Sequence, residues 1–273
     1  MTDEHLIDRT LTRDDLRDRG FRRRDLDRAI ASGRLLRLRP NRYVTAGVTG
    51  DQLTAIGLGA RLDCVSLLRA LGVFVLGDDR LHVQLEPHAS HRGPTPAGVV
   101  RHWRPSGLEP ATAATDVVSA LAQATRCQDP RAAIATLDSA WHAGVVDEAG
   151  IAAVFARLPR RLRRLRKLLD PRAESGPETL MRLILRSLGC SWETQTVIRG
   201  VGRVDFVVEG WLIIECDSEA HHASWEQQKR DRRRDLAAAA RGFTTVRPIA
   251  EDIFFHRDAL RRDLAEILGS RHR

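Results

Sequence analysis

Lysine and asparagine are almost missing from this chain. Only Lys167 and Lys229 among its 44 cations are lysines, and Asn41 is the sole asparagine. Such a skew is what GC-rich coding produces, so the abundance of arginine does not by itself argue for a polyanionic partner. Long apolar runs are absent too. The most apolar stretch, 53–77, is interrupted by Arg61, Asp63 and Arg69, which excludes a membrane span there. The first ten residues, MTDEHLIDRT, lack the apolar centre of a signal peptide, so a cytoplasmic location is expected. The four cysteines, Cys64, Cys127, Cys190 and Cys216, lie far apart and form no CxxC pair. A reduced compartment fits that usage, and structural zinc is not expected.

What remains is enough for real cores: 273 residues, 42% hydrophobic and 29% charged. Two or three domains fit that length. The net charge is +8, but it is unevenly spread. Residues 1–50 carry +4, residues 51–173 carry +4, and residues 174–273 are neutral. Attraction to a polyanion would therefore come from the first two-thirds. Composition shifts suggest three segments, 1–50, 51–170 and 171–273, in an α/β chain (α+β overall).

The first segment reads as three helices and a hairpin. Residues 3–9 can form a first helical piece. Thr12 is a plausible N-cap for the next, which Gly20 ends. A third fits 23–32, with Leu26 and Ile30 on one face. The alternating LLRLRPNRYV then turns at Pro40-Asn41 as a short hairpin. This is the order of a winged helix. The stretch LTRDDLRDRGFRRRDLDRAIASGRLLRLRPNRYV, above all its SGRLLRLRPNRYV end, resembles the N-terminal winged helix of abortive-infection-type antitoxins. Arg22, Arg23, Arg24 and Arg28 would decorate a groove-sized helix, and Arg37, Arg39 and Arg42 the wing, as a DNA-docking surface. The competing expectation is that Asp14, Asp15, Asp18, Asp25 and Asp27 neutralise them.

The middle segment is mostly helical. Helical spacing runs over 53–71 and fits 114–125, 130–142 and 147–158, while LHVQL (81–85) and VVRHW (99–103) alternate as strands. His88, His91 and His102 have no evident acidic or cysteine partner and read as ordinary surface histidines. PRRLRRLRKLLD (159–170) forms a short basic helix: Leu162, Leu165 and Leu168 face the protein, leaving Arg163, Arg164 and Lys167 available to phosphate. Pro171 marks the next boundary.

The last hundred residues follow the order helix, strand, strand, strand, helix, strand, helix, a mixed sheet flanked by helices. Carboxylates appear where the strand pattern wants apolar residues: Asp205 within GRVDFVV, and Glu215 and Asp217 at the end of WLIIECD. A carboxylate inside a strand is costly unless compensated. A divalent cation is the simplest compensation, and a buried salt bridge with arginine is the rival one. Register separates the possibilities. A two-residue turn at Glu209-Gly210 would set Asp205 and Glu215 on opposite faces. A three-residue loop, 209–211, or a bulge, pairs them directly. One extra residue is therefore expected in this hairpin.

Several motifs here stand in a definite order: Glu178-x-x-x-Arg182, Gly202-Arg-Val-Asp205-Phe, Ile214-Glu215-Cys-Asp217, His221-His222, Asp231-x-x-Arg234-Asp235, Arg241-Gly242 and Val246-Arg247. Together they resemble the PD-(D/E)xK nuclease core, and more narrowly the very-short-patch-repair-like endonuclease domains, over about the last third of the chain. The resemblance implies a restriction-endonuclease-like fold. It also implies Mg²⁺ or Mn²⁺ held by Asp205, Glu215 and the carbonyl of Cys216, with Glu178 on a metal-bound water or second ion. Asp217 or His221 would accept the proton from water, His222 competing for that place. Lys229 or Arg234 would offset charge in the transition state. Arg247, Asp231 and Asp235 are expected to be structural. The lysine of the family motif is Asp217 here, and Ser218 follows where the narrower family often has glycine, which leaves the water-activating group open.

The expectation is thus a metal-dependent DNA endonuclease cutting phosphodiester bonds, a repair or defence nickase acting on duplex DNA. The alternative is a DNA-binding regulator or antitoxin whose nuclease fold is only a scaffold.

Overall fold

The computed structural model describes residues 10–32, 34–45, 50–89, 95–109, 111–216 and 225–271. It is an α+β chain, with helices and three mixed or antiparallel sheets. Among the described residues no helix is long and apolar enough to cross a membrane. The contacts group the chain into two units, Met1–Gln128 with Ala143–Arg163, and Asp129–His142 with Arg164–Arg273. These are not the three consecutive segments expected from composition.

In the first unit, α1 (Arg13–Asp18) and α2 (Arg23–Ala31) precede a hairpin of β1 (Leu35–Arg39) and β2 (Arg42–Thr45). α1 starts with a reciprocal cap, in which Thr12 Oγ1 accepts from the Asp15 amide at 3.1 Å, and α2 with a one-way one. Asp15 accepts from the Thr12 amide at 2.7 Å, and Asp25 from the Arg22 amide at 3.1 Å. Leu11, Leu16, Leu26, Ala29, Leu35 and Tyr43 form the small core. Asn41, at φ 59°, makes the wing turn, a conformation asparagine tolerates better than most residues. Its side chain also accepts from the Arg13 amide at 2.7 Å, tying wing to α1. The helix expected over 3–9 lies outside the described residues.

The helix expected over 53–71 is instead α3 (Gly50–Gly57), β3 (Arg61–Leu62) and α4 (Cys64–Ala70). Two buried charges enforce the break. Arg61 reaches Gln84 at 3.1 Å and Glu86 at 2.9 Å, and Asp63 accepts from Arg104 and Thr115, both at 2.6 Å. β3 pairs antiparallel with β4 (Leu81–Leu85), which pairs in parallel with β5 (Val99–Trp103). α5 (Val117–Cys127), α7 (Glu148–Ala156) and the one-turn α8 (Arg160–Arg163) complete this unit.

The second unit borrows α6 (Pro130–His142) from the middle of the sequence. The reason is a buried network. Asp138 on α6 accepts from Arg182 at 2.7 Å and Thr179 at 3.0 Å, both on α9 (Gly176–Leu188), and from the Asp170 amide at 2.9 Å. Burial outweighs the Arg182 charge and raises the Asp138 carboxyl to about 6. Residues 164–168 form a 3-10 helix, not a continuation of one basic α-helix. Beyond α9 the sheet runs β6-β7-β8-β9 in space, with β6 (Trp192–Ile198), β7 (Gly202–Val208) and β8 (Leu212–Ile214) antiparallel and β9 (Thr244–Val246) parallel to β8. α10 (Trp225–Ala239) lies between β8 and β9 in sequence. Val201, Val204, Val207, Ile213 and Ala238 form the core beneath it. α11 (Ala250–Phe255) and α12 (Arg257–Ser270) end the chain where one helix was expected.

Candidate active site

The β7–β8 hairpin decides whether the strand acids can meet. Val208 pairs Leu212, Val207 pairs Ile213 and Phe206 pairs Ile214. Three residues, 209–211, separate the pairs, so Asp205 stands opposite Glu215. Glu209 and Gly210 both take positive φ, 50° and 70°, and the Trp211 amide closes the turn on Val208 at 3.1 Å. The left-handed pair makes a tight turn. Trp211 is the additional residue that shifts the register onto the acids.

Asp205 and Glu215 then interlock through the backbone. The Asp205 amide lies 3.4 Å from Glu215 Oε2, and the Cys216 amide donates to Asp205 Oδ2 at 2.8 Å. Cys216 thus serves Asp205 through its N–H. Glu178, the third residue after the Ser175 cap of α9, is buried. It accepts from Ser175 Oγ at 2.8 Å, the Glu174 amide at 3.0 Å and the Gln195 amide group at 2.8 Å.

Gln195 had no place in the sequence reading. It sits on β6 between the pairs Thr194–Phe206 and Thr196–Val204, and so opposite Asp205. Its φ is 53°, a left-handed conformation that costs a non-glycine residue on the order of 1–3 kcal/mol and persists only where the surroundings enforce it. Its Oε1 is buried without a partner. The register of the β6–β7 hairpin was the signal that could have exposed it.

Electrostatics agree with a site short of positive charge. Burial raises the proton affinity of Glu178, Asp205 and Glu215, and the Asp205 charge raises the other two further. Among the described residues no cation pairs directly with Glu178 or Asp205. Glu215 differs. Arg234, on α10, donates to Glu215 Oε1 at 2.8 Å and is itself fixed by the carbonyls of Arg203 at 2.7 Å and Val201 at 3.2 Å. The transition-state role expected of Arg234 therefore gives way to a positioning one. Arg247 pairs with Asp235 at 2.9 Å and lies 3.9 Å from Glu215, so both behave structurally as expected. Lys229 lies earlier on α10. Asp217, His221 and His222 lie outside the described residues.

The donors suit a hard divalent cation in kind: carboxylate oxygens short of protein cations, on neighbouring strands and α9, with the Gln195 amide oxygen buried and unpartnered on β6. The oxygens of Glu178, Asp205 and Glu215 do not all come within 4.8 Å of one another. A cation that keeps several of its own waters does not need them to. Arg234 occupies only one Glu215 oxygen, so the arginine pairing set against a metal in the sequence reading is present in part.

The nucleic-acid candidates divide. Arg22, Arg23, Arg24 and Arg37 are exposed and pair with no acid among the described residues; Arg28 has only a 3.9 Å approach to Asp25. Of the acids expected to neutralise this face, Asp15 and Asp25 serve helix caps and Asp14 pairs with Arg17 at 2.6 Å. Arg42 is half-buried and donates to the Asn41 carbonyl at 3.1 Å. Of Arg39 the structure describes only the backbone, at the end of β1. Arg163 is exposed and donates to the carbonyls of Leu158 at 2.8 Å and Ala156 at 3.2 Å, at the end of α7. Arg164 and Lys167 are exposed. No known protein family matches this chain, and no curated protein is similar to it.

Proposed function

We propose that the second unit is a divalent-metal-dependent nuclease and that the first unit brings it to duplex DNA. The observation that carries this reading is the opposition of Asp205 and Glu215 on neighbouring strands, achieved through an otherwise unneeded residue in the hairpin. The Asp205 charge disfavours the ionised form of Glu215 where burial already penalises it, and the fold accepts that cost. Asp205 and Glu215 would hold Mg²⁺ or Mn²⁺, with Glu178 and Gln195 holding its water. The ion would polarise the scissile phosphate and lower the proton affinity of the attacking water. The Cys216 amide and Arg234 keep the two acids in place. The exposed arginines of α2 and the wing supply attraction to phosphate that the neutral stretch 174–273 cannot.

The test is nicking of supercoiled plasmid in Mg²⁺ or Mn²⁺ by wild type and by the Asp205→Ala, Glu215→Ala pair. Cleavage lost in the pair, with DNA binding retained, supports the reading. Cleavage unchanged by the pair removes these acids from the chemistry. The Arg234–Glu215 contact favours a second reading, a DNA-binding regulator with an inert nuclease fold. A wild type that binds an operator and cuts neither DNA nor RNA establishes that one.

A further inference from the structure

A second cluster lies in the other unit, where no structural zinc was expected and His102 was expected to be an ordinary surface histidine. Cys64 at the start of α4, His82 on β4, His102 on β5 and Cys127 at the end of α5 each present one donor atom, and these atoms all lie within 4.8 Å of one another. His82 Nδ1 and His102 Nε2 are 3.1 Å apart, and Cys127 Sγ is 3.9 Å from His102 Nε2. Cys64 and His82 are buried, His102 is half-buried and Cys127 opens to solvent.

We infer that Cys64, His82, His102 and Cys127 bind one zinc ion as a closed structural site of the first unit. Two thiolates and two imidazoles are the donors that Zn²⁺ prefers in such sites. A tetrahedral ion with bonds of about 2.0–2.3 Å sets its ligand atoms about 3.3–3.8 Å apart, so the widest edge here closes with a shift of roughly 1 Å. The surroundings are those of a metal site. His82 turns its other nitrogen, Nε2, to Asp78 at 3.0 Å, the outer carboxylate that fixes the tautomer and leaves Nδ1 to coordinate. Gln123 donates to Cys127 Sγ at 3.2 Å. Cys64 takes φ 53° at the first position of α4, strain of the sort that clusters at sites held by another interaction. Four separate elements deliver these atoms, so the ion would join both strands to both helices. This site is independent of the acids proposed for the nuclease.

The test uses the full chain expressed with added zinc and purified under a reductant. Atomic emission should find one zinc per chain. Replacement by Co²⁺ should give the strong visible bands of a tetrahedral ion and the near-ultraviolet thiolate charge-transfer band. Cys127→Ser and His102→Ala, at the open side where folding tolerates change, should each abolish that spectrum. Asp78→Asn should weaken Co²⁺ binding about 10–100-fold with the spectrum kept. Cys190→Ser and the Asp205→Ala, Glu215→Ala pair should leave zinc content unchanged. The inference is overturned by wild type that takes up neither metal, by a tetrahedral spectrum surviving in both ligand variants, or by a Cys64–Cys127 disulfide in the mass spectrum of unreduced protein.

Discussion

At the scale of single residues, the two strand acids look equivalent and are not. Asp205 has an amide donor and no cation, whereas Glu215 has Arg234 at 2.8 Å. A carboxyl held above its ordinary range contributes stability at low pH that is lost as pH rises through its folded value. The ionised Asp205 is therefore a liability at neutral pH. Asp205→Asn is expected to raise the urea midpoint at pH 7, and the gain should vanish under acid conditions where the wild-type group is already protonated. Glu215→Gln removes the partner of Arg234 and is expected to cost about 1–3 kcal/mol instead. Equal shifts for the two variants in urea melts at neutral pH would contradict this division.

At the scale of elements, α6 is the informative case. Its helical pattern is plain in the sequence, but its allegiance is not. Asp138 has no exposed surface, and its partner Arg182 is 8% exposed at the side chain. Asp138→Ala strands a buried guanidinium and should cost about 3–5 kcal/mol. Because the Asp138 carboxyl is raised from 3.8 to about 6, its contribution is whole below the lower value and declines as pH climbs to the higher one. Two pKa units correspond to roughly 2–3 kcal/mol. Denaturant titrations across that range should show a downward slope that flattens in Asp138→Asn. The basic run after α7 teaches the converse. Its leucine spacing suggested one helix, yet Arg163 folds back to satisfy the open carbonyls at the end of α7, and the chain continues as a 3-10 turn. Helix ends compete for such donors, and spacing alone does not reveal the winner.

At the scale of the whole molecule, charge and chemistry are separated. The second unit's acids repel DNA, and the excess of cations lies earlier in the chain. DNA affinity should therefore fall steeply with salt, and each of Arg23→Ala and Arg24→Ala should lower the slope of log affinity against log salt by about one phosphate contact. The Asp205→Ala, Glu215→Ala pair should leave that slope as it is. Binding titrations at several salt concentrations measure both, and an unchanged slope in the arginine variants would remove α2 from the interface.

The amino-acid order determined what adds up locally. Thr12 and Gly20 placed α1, the Leu26–Ile30 spacing placed α2, and the count of residues in one hairpin placed Asp205 across from Glu215, because strand register is a matter of whole numbers along a short loop. Gln195 was within reach of the same counting, one hairpin earlier. Tertiary structure decided what depends on meeting across long separations. Arg234 comes nineteen residues after Glu215 and takes one of its oxygens. His102 stands twenty residues from His82 and twenty-five from Cys127, intervals with no helical or strand period to betray them. Only folding of two strands and two helices around one point turns four scattered residues into a set of ligands.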